Sequence, residues 1–271
     1  VHAIRLWLRR LSMELACRFA AEALARDGAQ ERNLVRTDAL GTAASFCYFQ
    51  GRYDNARRLA EEGLALAREQ GDPLRTADGL ALVGMAAMGQ GDAGAARRVL
   101  DEAVALSRSV GDRNRLGQSL NCLAEAHAAA GDLDAAEPMY EEALTLARDM
   151  GGRAAIAVAL LNLARVHLDR NSGDSAARVL REVLDLVDEH TGRQETQQLL
   201  TVAAGLAAHE GDWARAARIY GAAQAQLKQH GLRREPADEA SLAPLMARVR
   251  QATDNAGFAA HEEEGQKLAP E

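Results

Sequence analysis

The sequence contains few aromatic residues and few prolines. Aromatic residues make up 4% of the 271 positions and there are 5 prolines, whereas alanine is abundant. Aromatic and β-branched residues favour strands, while alanine favours helices and lets them approach one another closely. The composition therefore disfavours a β-rich fold and predicts closely packed helices.

Cysteine is also scarce, with 3 residues in the whole chain. Cys17, Cys47 and Cys122 lie far apart in the sequence, and none belongs to a Cys-x-x-Cys pair. This spacing indicates neither a disulfide framework nor a zinc knuckle. We expect three reduced thiols in or near the core of a cytoplasmic protein.

Long apolar runs and a surplus of basic residues are both missing. No apolar stretch approaches the roughly 20 residues that cross a bilayer, and the amino end lacks the pattern of a signal peptide. The formal net charge of −7 disfavours direct nucleic-acid binding, which needs a basic surface. Because the chain starts at Val1 within a helical pattern, we expect it to be part of a longer protein.

No catalytic motif is present in the sequence. There is no phosphate-binding loop, no Gly-x-Ser-x-Gly and no His-Glu-x-x-His. His127 and His167 are 40 residues apart, and we interpret them as packing residues rather than a metal pair. The sequence predicts a protein that is not an enzyme and has no metal or cofactor.

The dominant feature is a pattern that repeats every 40 residues. Gly131-Asp132 is followed by an amphipathic helix, and the same arrangement recurs from Gly51, Gly91, Asn171 and Gly211. A fixed period of this size is typical of stacked helical repeats. Alanine recurs in one register column, and large residues recur four positions later, where paired helices would meet. The columns are Ala56, Ala96, Ala136, Ala176, Ala216 and Leu100, Tyr140, Leu180, Tyr220.

The period divides the chain into three predicted regions. Residues 1–30 are a partial repeat, residues 31–230 form five helix pairs, and residues 231–271 form capping helices. The predicted pairs cover 34–71, 74–111, 113–151, 153–190 and 193–230. Neither helix of a pair can bury its apolar face alone, so successive pairs must stack.

The repeat resembles the tetratricopeptide repeat (TPR). The resemblance is carried by Asn121-Cys122-Leu123-Ala124, Gly131-Asp132, Ala136, Tyr140 and Ala143, although the period is longer than the usual of about 34 residues. It implies an all-α, right-handed superhelix of antiparallel helix pairs, a TPR solenoid. In such arrays the first helix of each pair lines a concave groove.

The segment after the last pair carries a second resemblance. Residues 213–223, Gly231-Leu232-Arg233-Arg234-Glu235-Pro236 and Ala256-Gly257-Phe258 look like the C-terminal TPR region of large bacterial ATP-dependent regulators. In those regulators (LuxR-like, winged-helix or STAND-type) an ATPase and an output domain precede the array. The resemblance implies a role in transcription or signalling.

The predicted binding surface lies on the first helices of the pairs. Apolar and aromatic side chains dominate its amino-terminal part, and polar side chains follow. Asn121 and Arg165 offer directed donors for a peptide backbone or a carboxylate. The predicted groove residues are Tyr48, Phe49, Asp78, Met85, Met88, Gln118, Asn121, Glu125, Leu161, Arg165, Gln198 and Thr201, with Asp38, Ser45 and His209 beside them.

Two functions fit this reading. The first is a non-catalytic sensor or interaction arm of a bacterial regulator, which binds a protein segment or a small-molecule inducer in the groove. The second is a stand-alone TPR scaffold that joins protein partners. Self-association is compatible with both, and neither requires nucleic acid or a membrane.

Overall fold

The computed structural model describes residues 13–26, 28, 30–187 and 192–268. The first part of the predicted partial repeat, residues 1–12, lies outside the described residues, as do positions 188–191 near the end of the fourth predicted pair. The described chain separates into two compact units. Unit 1 contains the residues up to Leu146 together with Gly231–Arg233, and unit 2 contains Ala147–His230 and the residues from Arg234 onward.

Unit 1 consists of helices that follow one another through short turns. Their order is α1 (Met13–Ala25), α2 (Leu34–Phe49), α3 (Tyr53–Glu69), α4 (Pro73–Gly89), α5 (Ala93–Val110), α6 (Arg113–Ala129) and most of α7 (Leu133–Asp149). Each of α2 to α6 packs on the helix before it, and α2, α4 and α6 also pack side by side. These three are therefore the first helices of successive pairs.

Unit 2 continues the same alternation. It contains α8 (Arg153–Asp169), α9 (Gly173–Leu186), α10 (Arg193–His209), α11 (Trp213–His230) and α12 (Pro236–Gln266). Helix α12 consists of two helical segments that meet at Asp254, whose backbone is not helical (φ 55°, ψ 174°). The Asp254 carboxylate accepts a hydrogen bond from the Gly257 N–H at 2.8 Å and so caps the second segment. The predicted all-α fold of antiparallel helix pairs is confirmed.

Glycine and aspartate make most of the turns between helices. Gly111 adopts a left-handed conformation (φ 77°) that a side chain would strain, and Asp112 then caps α6 by accepting from the Arg115 N–H at 2.9 Å. That backbone hydrogen bond, together with the Arg115 guanidinium, lowers the pKa of Asp112 against the effect of burial. Asn171 (φ 58°) takes the glycine position in the fourth turn, since asparagine tolerates this conformation better than most residues.

Small residues in register fill the space between paired helices. The alanine column at positions 56, 96, 136, 176 and 216 is at most 2% exposed, and Leu100 and Tyr140 in the large-residue column are fully buried. These columns confirm that the repeat sets the core. Gly84 shows how close the helices lie, because a Cβ at this position would be 2.7 Å from Cδ2 of Leu100.

Candidate binding surface

The predicted groove residues fall mostly in three register columns along the first helices. One contains Asp38, Asp78, Gln118 and Gln198; one contains Asn121, Leu161 and Thr201; and one contains Ser45, Met85, Glu125 and Arg165. We call these columns together the first-helix face. Helices α2, α4 and α6 carry its part in unit 1, and α8 and α10 carry its part in unit 2.

In unit 1 most of the first-helix face reaches the surface. Asp38 and Gln118 are exposed, and Asp78, Met85 and Asn121 are partly exposed. Gln118 donates a hydrogen bond to Asn114 one turn earlier on α6. Glu125 is buried at 6% exposure. This part of the face presents amides, carboxylates and a methionine to the surroundings.

Two arginines on the same helices hold the aspartates of this face. Arg75 donates to both carboxylate oxygens of Asp38 at 2.7 and 2.9 Å, and Arg115 does the same to Asp78 at 2.9 and 3.0 Å. Burial raises the pKa of Asp78, and the hydrogen bonds from Arg115 act in the opposite direction. Each carboxylate is thus fixed across two neighbouring first helices. Sequence reasoning missed these arginines, although Arg75 and Arg115 are themselves one period apart and each follows its aspartate by 37 residues.

The aromatic residues at the end of α2 pack inward. Tyr48 is buried, and its ring lies 5.4 Å from that of Phe49 and 5.6 Å from that of Tyr53. Met88 is buried in a core cluster with Leu100 and Leu120. Tyr48 and Met88 therefore contribute to the core of unit 1, while Phe49 remains partly exposed.

In unit 2 the predicted residues of these columns are buried. Leu161 is 0% exposed, and Arg165, Gln198 and Thr201 are between 4% and 8% exposed. Gln198 donates to Asn162 on α8 at 3.0 Å. None of these four predicted residues is available to an outside ligand in this structure.

The chain's own C-terminal segment contacts two of them, Arg165 and Thr201. Arg165 donates to Asp238 of α12 at 2.6 Å, and both side chains are at most 4% exposed. Thr201 accepts from Arg234, which also donates to Glu239 at 2.6 Å and lies over the Tyr220 ring. A cavity of only about 10 Å³ remains where Leu242 and Leu245 meet α8 and α10. The carboxylate that Arg165 was predicted to hold therefore comes from this chain.

The polar side chains at the contact between α8 and α12 also change the pKa of a neighbouring carboxylate, Asp169. Asp169 at the end of α8 accepts a hydrogen bond from Ser241 of α12. Burial raises the pKa of Asp169, while the Ser241 hydroxyl and the charge of Arg165 lower it.

Asp238 lies one period after Gln198, in the column of Asp38 and Asp78, whereas the position one period before Arg234 is Gln194. Sequence reasoning missed Asp238 because residues 231–271 were assigned to capping helices outside the repeats.

Two further features of the described residues bear on function. No group of three or more histidine, cysteine or acidic side chains among them is arranged to hold a metal ion. Within the same ranges, no helix has both the length and the apolar character needed to span a membrane. His127 instead contacts Asp132 in the following turn at 3.1 Å.

Comparison with protein families gives a match over most of the chain. The model of the family described as "MalT-like TPR region" matches residues 40–271. A comparison with curated protein sequences gives no match.

Solved structures with the same fold include several TPR proteins. A Rap protein complexed with Competence and Sporulation Factor has a TM-score of 0.75 and 12% identity, over 94% of this chain and 69% of that one. NprR in complex with its cognate peptide NprX has a TM-score of 0.61 and 16% identity, over 84% and 65% of the two chains. A signal transduction ATPase with numerous domains from Pyrococcus horikoshii, which has a TPR sensor, gives 0.53 and 13% over 94% and 41%. At these identities the similarity establishes the fold alone.

Proposed function

Because the chain belongs to the MalT-like TPR family, we propose that it is a non-catalytic binding module in a transcriptional or signalling regulator. Its ligand is a protein segment or a small-molecule inducer, and its binding surface is the unit 1 part of the first-helix face. The observation that carries this proposal is the difference in exposure along the columns. Apart from Glu125, which is buried, the column positions on α2, α4 and α6 are exposed or partly exposed, whereas Leu161, Arg165, Gln198 and Thr201 on α8 and α10 are buried.

The chemistry of the accessible part suits an extended peptide segment. Amide side chains such as Gln118 and Asn121 can both donate to and accept from a peptide backbone. Met85 is partly exposed, and its flexible thioether adapts to apolar side chains of different shape. Rap and NprR, which share the fold, were solved with Competence and Sporulation Factor and with the peptide NprX, respectively.

We expect substitutions on α6 to weaken ligand binding without unfolding the protein. Short random peptides are selected against the chain by display, and the dissociation constant of an enriched peptide is measured by fluorescence polarisation. Gln118→Lys combined with Asn121→Ala should raise that constant by about tenfold or more, which corresponds to about 1.4 kcal/mol.

The matched control lies on the second helices of the same unit. Asp101 on α5 and Glu141 on α7 are exposed, and the double change Asp101→Ala with Glu141→Ala should leave the dissociation constant within about twofold. If the control weakens binding as much as the α6 variant, or if neither does, the ligand does not contact this face.

The regulator role predicts a large native polypeptide. An antibody raised against residues 31–187 should detect, in the source cell, a band far heavier than a chain of 271 residues. A band at the size of this chain would favour the stand-alone scaffold instead.

A further inference from the structure

Two of the three cysteines, distant in sequence, are in contact in the structure. Cys17 lies on α1 and Cys47 lies in the last turn of α2, the helix on which α1 packs. Each is 9% exposed, and the two thiols are close enough for each to shift the pKa of the other. Ala20 and Leu24, one and two turns after Cys17, pack against the core cluster that contains Cys47. The pair is therefore held between two packed helices of unit 1.

The surroundings of the two sulfur atoms differ in charge. The hydrogen bond from Cys17 lowers the pKa of Cys47 to about 7, and the guanidinium groups of Arg52 and Arg58 lower it further against the effect of burial. The hydrogen bond to Cys47 and burial both raise the pKa of Cys17. Cys47 is thus the more readily ionised of the two thiols, and Cys17 is the partner that keeps its proton. The thiolate is the nucleophilic form of cysteine, so the two residues have different chemical roles.

We propose that Cys17 and Cys47 form a dithiol–disulfide pair that responds to hydrogen peroxide. This inference stands independently of the proposed binding function. Pairs of this kind in proteins from reducing compartments are usually transient and redox-sensing. Because both residues are largely buried, the oxidant must be small, and peroxide meets that requirement.

The reaction takes place in two balanced steps. The Cys47 thiolate attacks one oxygen of hydrogen peroxide, the O–O bond breaks, and a sulfenic acid and hydroxide form. The Cys17 sulfur then attacks the Cys47 sulfur, the S–O bond breaks, and a disulfide forms. The thiol proton and the leaving hydroxyl group depart as water. Two electrons pass from the two sulfurs to peroxide, and a small thiol such as dithiothreitol reverses the change.

The disulfide would join α1 covalently to the end of α2. A cross-link restricts the unfolded chain and so stabilises the folded state, by an amount that grows with the length of the closed loop. We expect the melting temperature of unit 1 to rise by roughly 5 °C on oxidation and to return on reduction.

The experiment uses the whole chain and hydrogen peroxide alone as the oxidant. After treatment, the intact mass should fall by about 2 Da, and non-reducing peptide mapping should find Cys17 joined to Cys47. Cys122 is the matched control, since it lies on α6 and is partly exposed. Cys122→Ser should leave the mass change, the cross-link and the thermal shift intact.

Single variants separate the two roles. Cys17→Ser should retain a sulfenic acid at Cys47 that dimedone traps, whereas Cys47→Ser should abolish both the mass loss and rapid oxidation at Cys17. Circular dichroism establishes that each variant is folded. The proposal is overturned if folded wild-type protein keeps all three thiols after peroxide treatment, or if the cross-link involves Cys122.

Discussion

Replacing Asp238 with alanine should destabilise unit 2 by about 3–5 kcal/mol. Asp238 lies in the first turn of α12 and accepts from Arg165 at 2.6 Å, and the two side chains are 2% and 4% exposed. Without the carboxylate, the guanidinium of Arg165 loses the partner that it holds at 2.6 Å in a buried place. Removing one partner of a buried ion pair costs more than the pair itself contributes.

Urea-induced unfolding followed by circular dichroism measures this effect. Hydrogen–deuterium exchange should assign the loss of protection to α8, α10 and α12, since these helices carry the buried side chains of Arg165, Thr201 and Asp238. An Asp238→Ala protein with wild-type stability and unchanged exchange in α12 would show that this segment does not depend on Arg165.

Asp38 provides the matched control because it pairs with an arginine in the same manner but near the surface. The side chains of Arg75 and Asp38 are 30% and 58% exposed. Exposed pairs contribute little, so Asp38→Ala should cost less than about 1 kcal/mol. The double variant Arg165→Met with Asp238→Leu should recover most of the loss, because apolar residues of similar volume can replace a buried pair. Equal losses from Asp38→Ala and Asp238→Ala would contradict this reasoning.

The periodic part of the fold was predictable because it depends on local rules repeated at a fixed spacing. Gly111 and Asp112 end one helix and start the next, and the alanines at 96 and 136 mark where helices touch. Positions of this kind recur in each repeat, so a single sequence gives several independent indications of where helices end and where they pack. Family and structural comparisons agree with the fold that this pattern predicted.

The candidate site was less predictable because periodicity gives the orientation of a residue but not what covers it. Gln118 and Gln198 share a register column, yet Gln118 is exposed and Gln198 is buried. Gln198 donates to Asn162 on α8, and nearby Thr201 and Arg165 are contacted by Arg234 and Asp238, which lie 33 and 73 positions later. No local pattern encodes such contacts. The proposed binding surface is accordingly limited to α2, α4 and α6.

The contact between Cys17 and Cys47 escaped sequence analysis for a related reason. Cysteine spacing identifies disulfide frameworks and metal sites when the residues form short motifs. Here the two thiols meet because α1 packs on α2, and the arginines that favour a thiolate lie beyond Cys47, at the start of α3. Only the packing of three helices brings these groups together.

The packing of the second segment of α12 against α11 should depend on two glycines, one on each helix, where the two backbones are in close contact. A Cβ at Gly265 would overlap the carbonyl group of Arg218 on α11, lying 2.6 Å from its carbon, and a Cβ at Gly221 would lie 2.8 Å from the carbonyl carbon of Glu262. Backbone atoms within helices cannot move aside as a flexible side chain can. We therefore expect Gly265→Ala and Gly221→Ala each to cost about 3 kcal/mol and to expose the amides of 255–266 to hydrogen exchange.

Gly117 on α6 is the control for this prediction. A Cβ there would meet the Leu146 side chain at an ordinary 3.8 Å, so Gly117→Ala should be neutral or stabilising by up to about 1 kcal/mol, as expected for a helix interior. If Gly265→Ala keeps 255–266 protected and leaves stability unchanged, the two helices are not in such close contact.

Comparing Gly221 with the equivalent residues of earlier pairs explains why this close backbone contact occurs at the end of the array. The equivalent positions in earlier pairs carry charged, exposed side chains, namely Glu61, Asp101, Glu141 and Arg181. A charged side chain suits a second helix whose outer face meets water, whereas glycine at the same position suits one that another backbone covers. Replacing Gly221 with glutamate, the residue found in two earlier pairs, should therefore release residues 255–266 more completely than alanine does. The reverse change, Glu141→Gly, should cost only the roughly 1 kcal/mol of a glycine in an exposed helix.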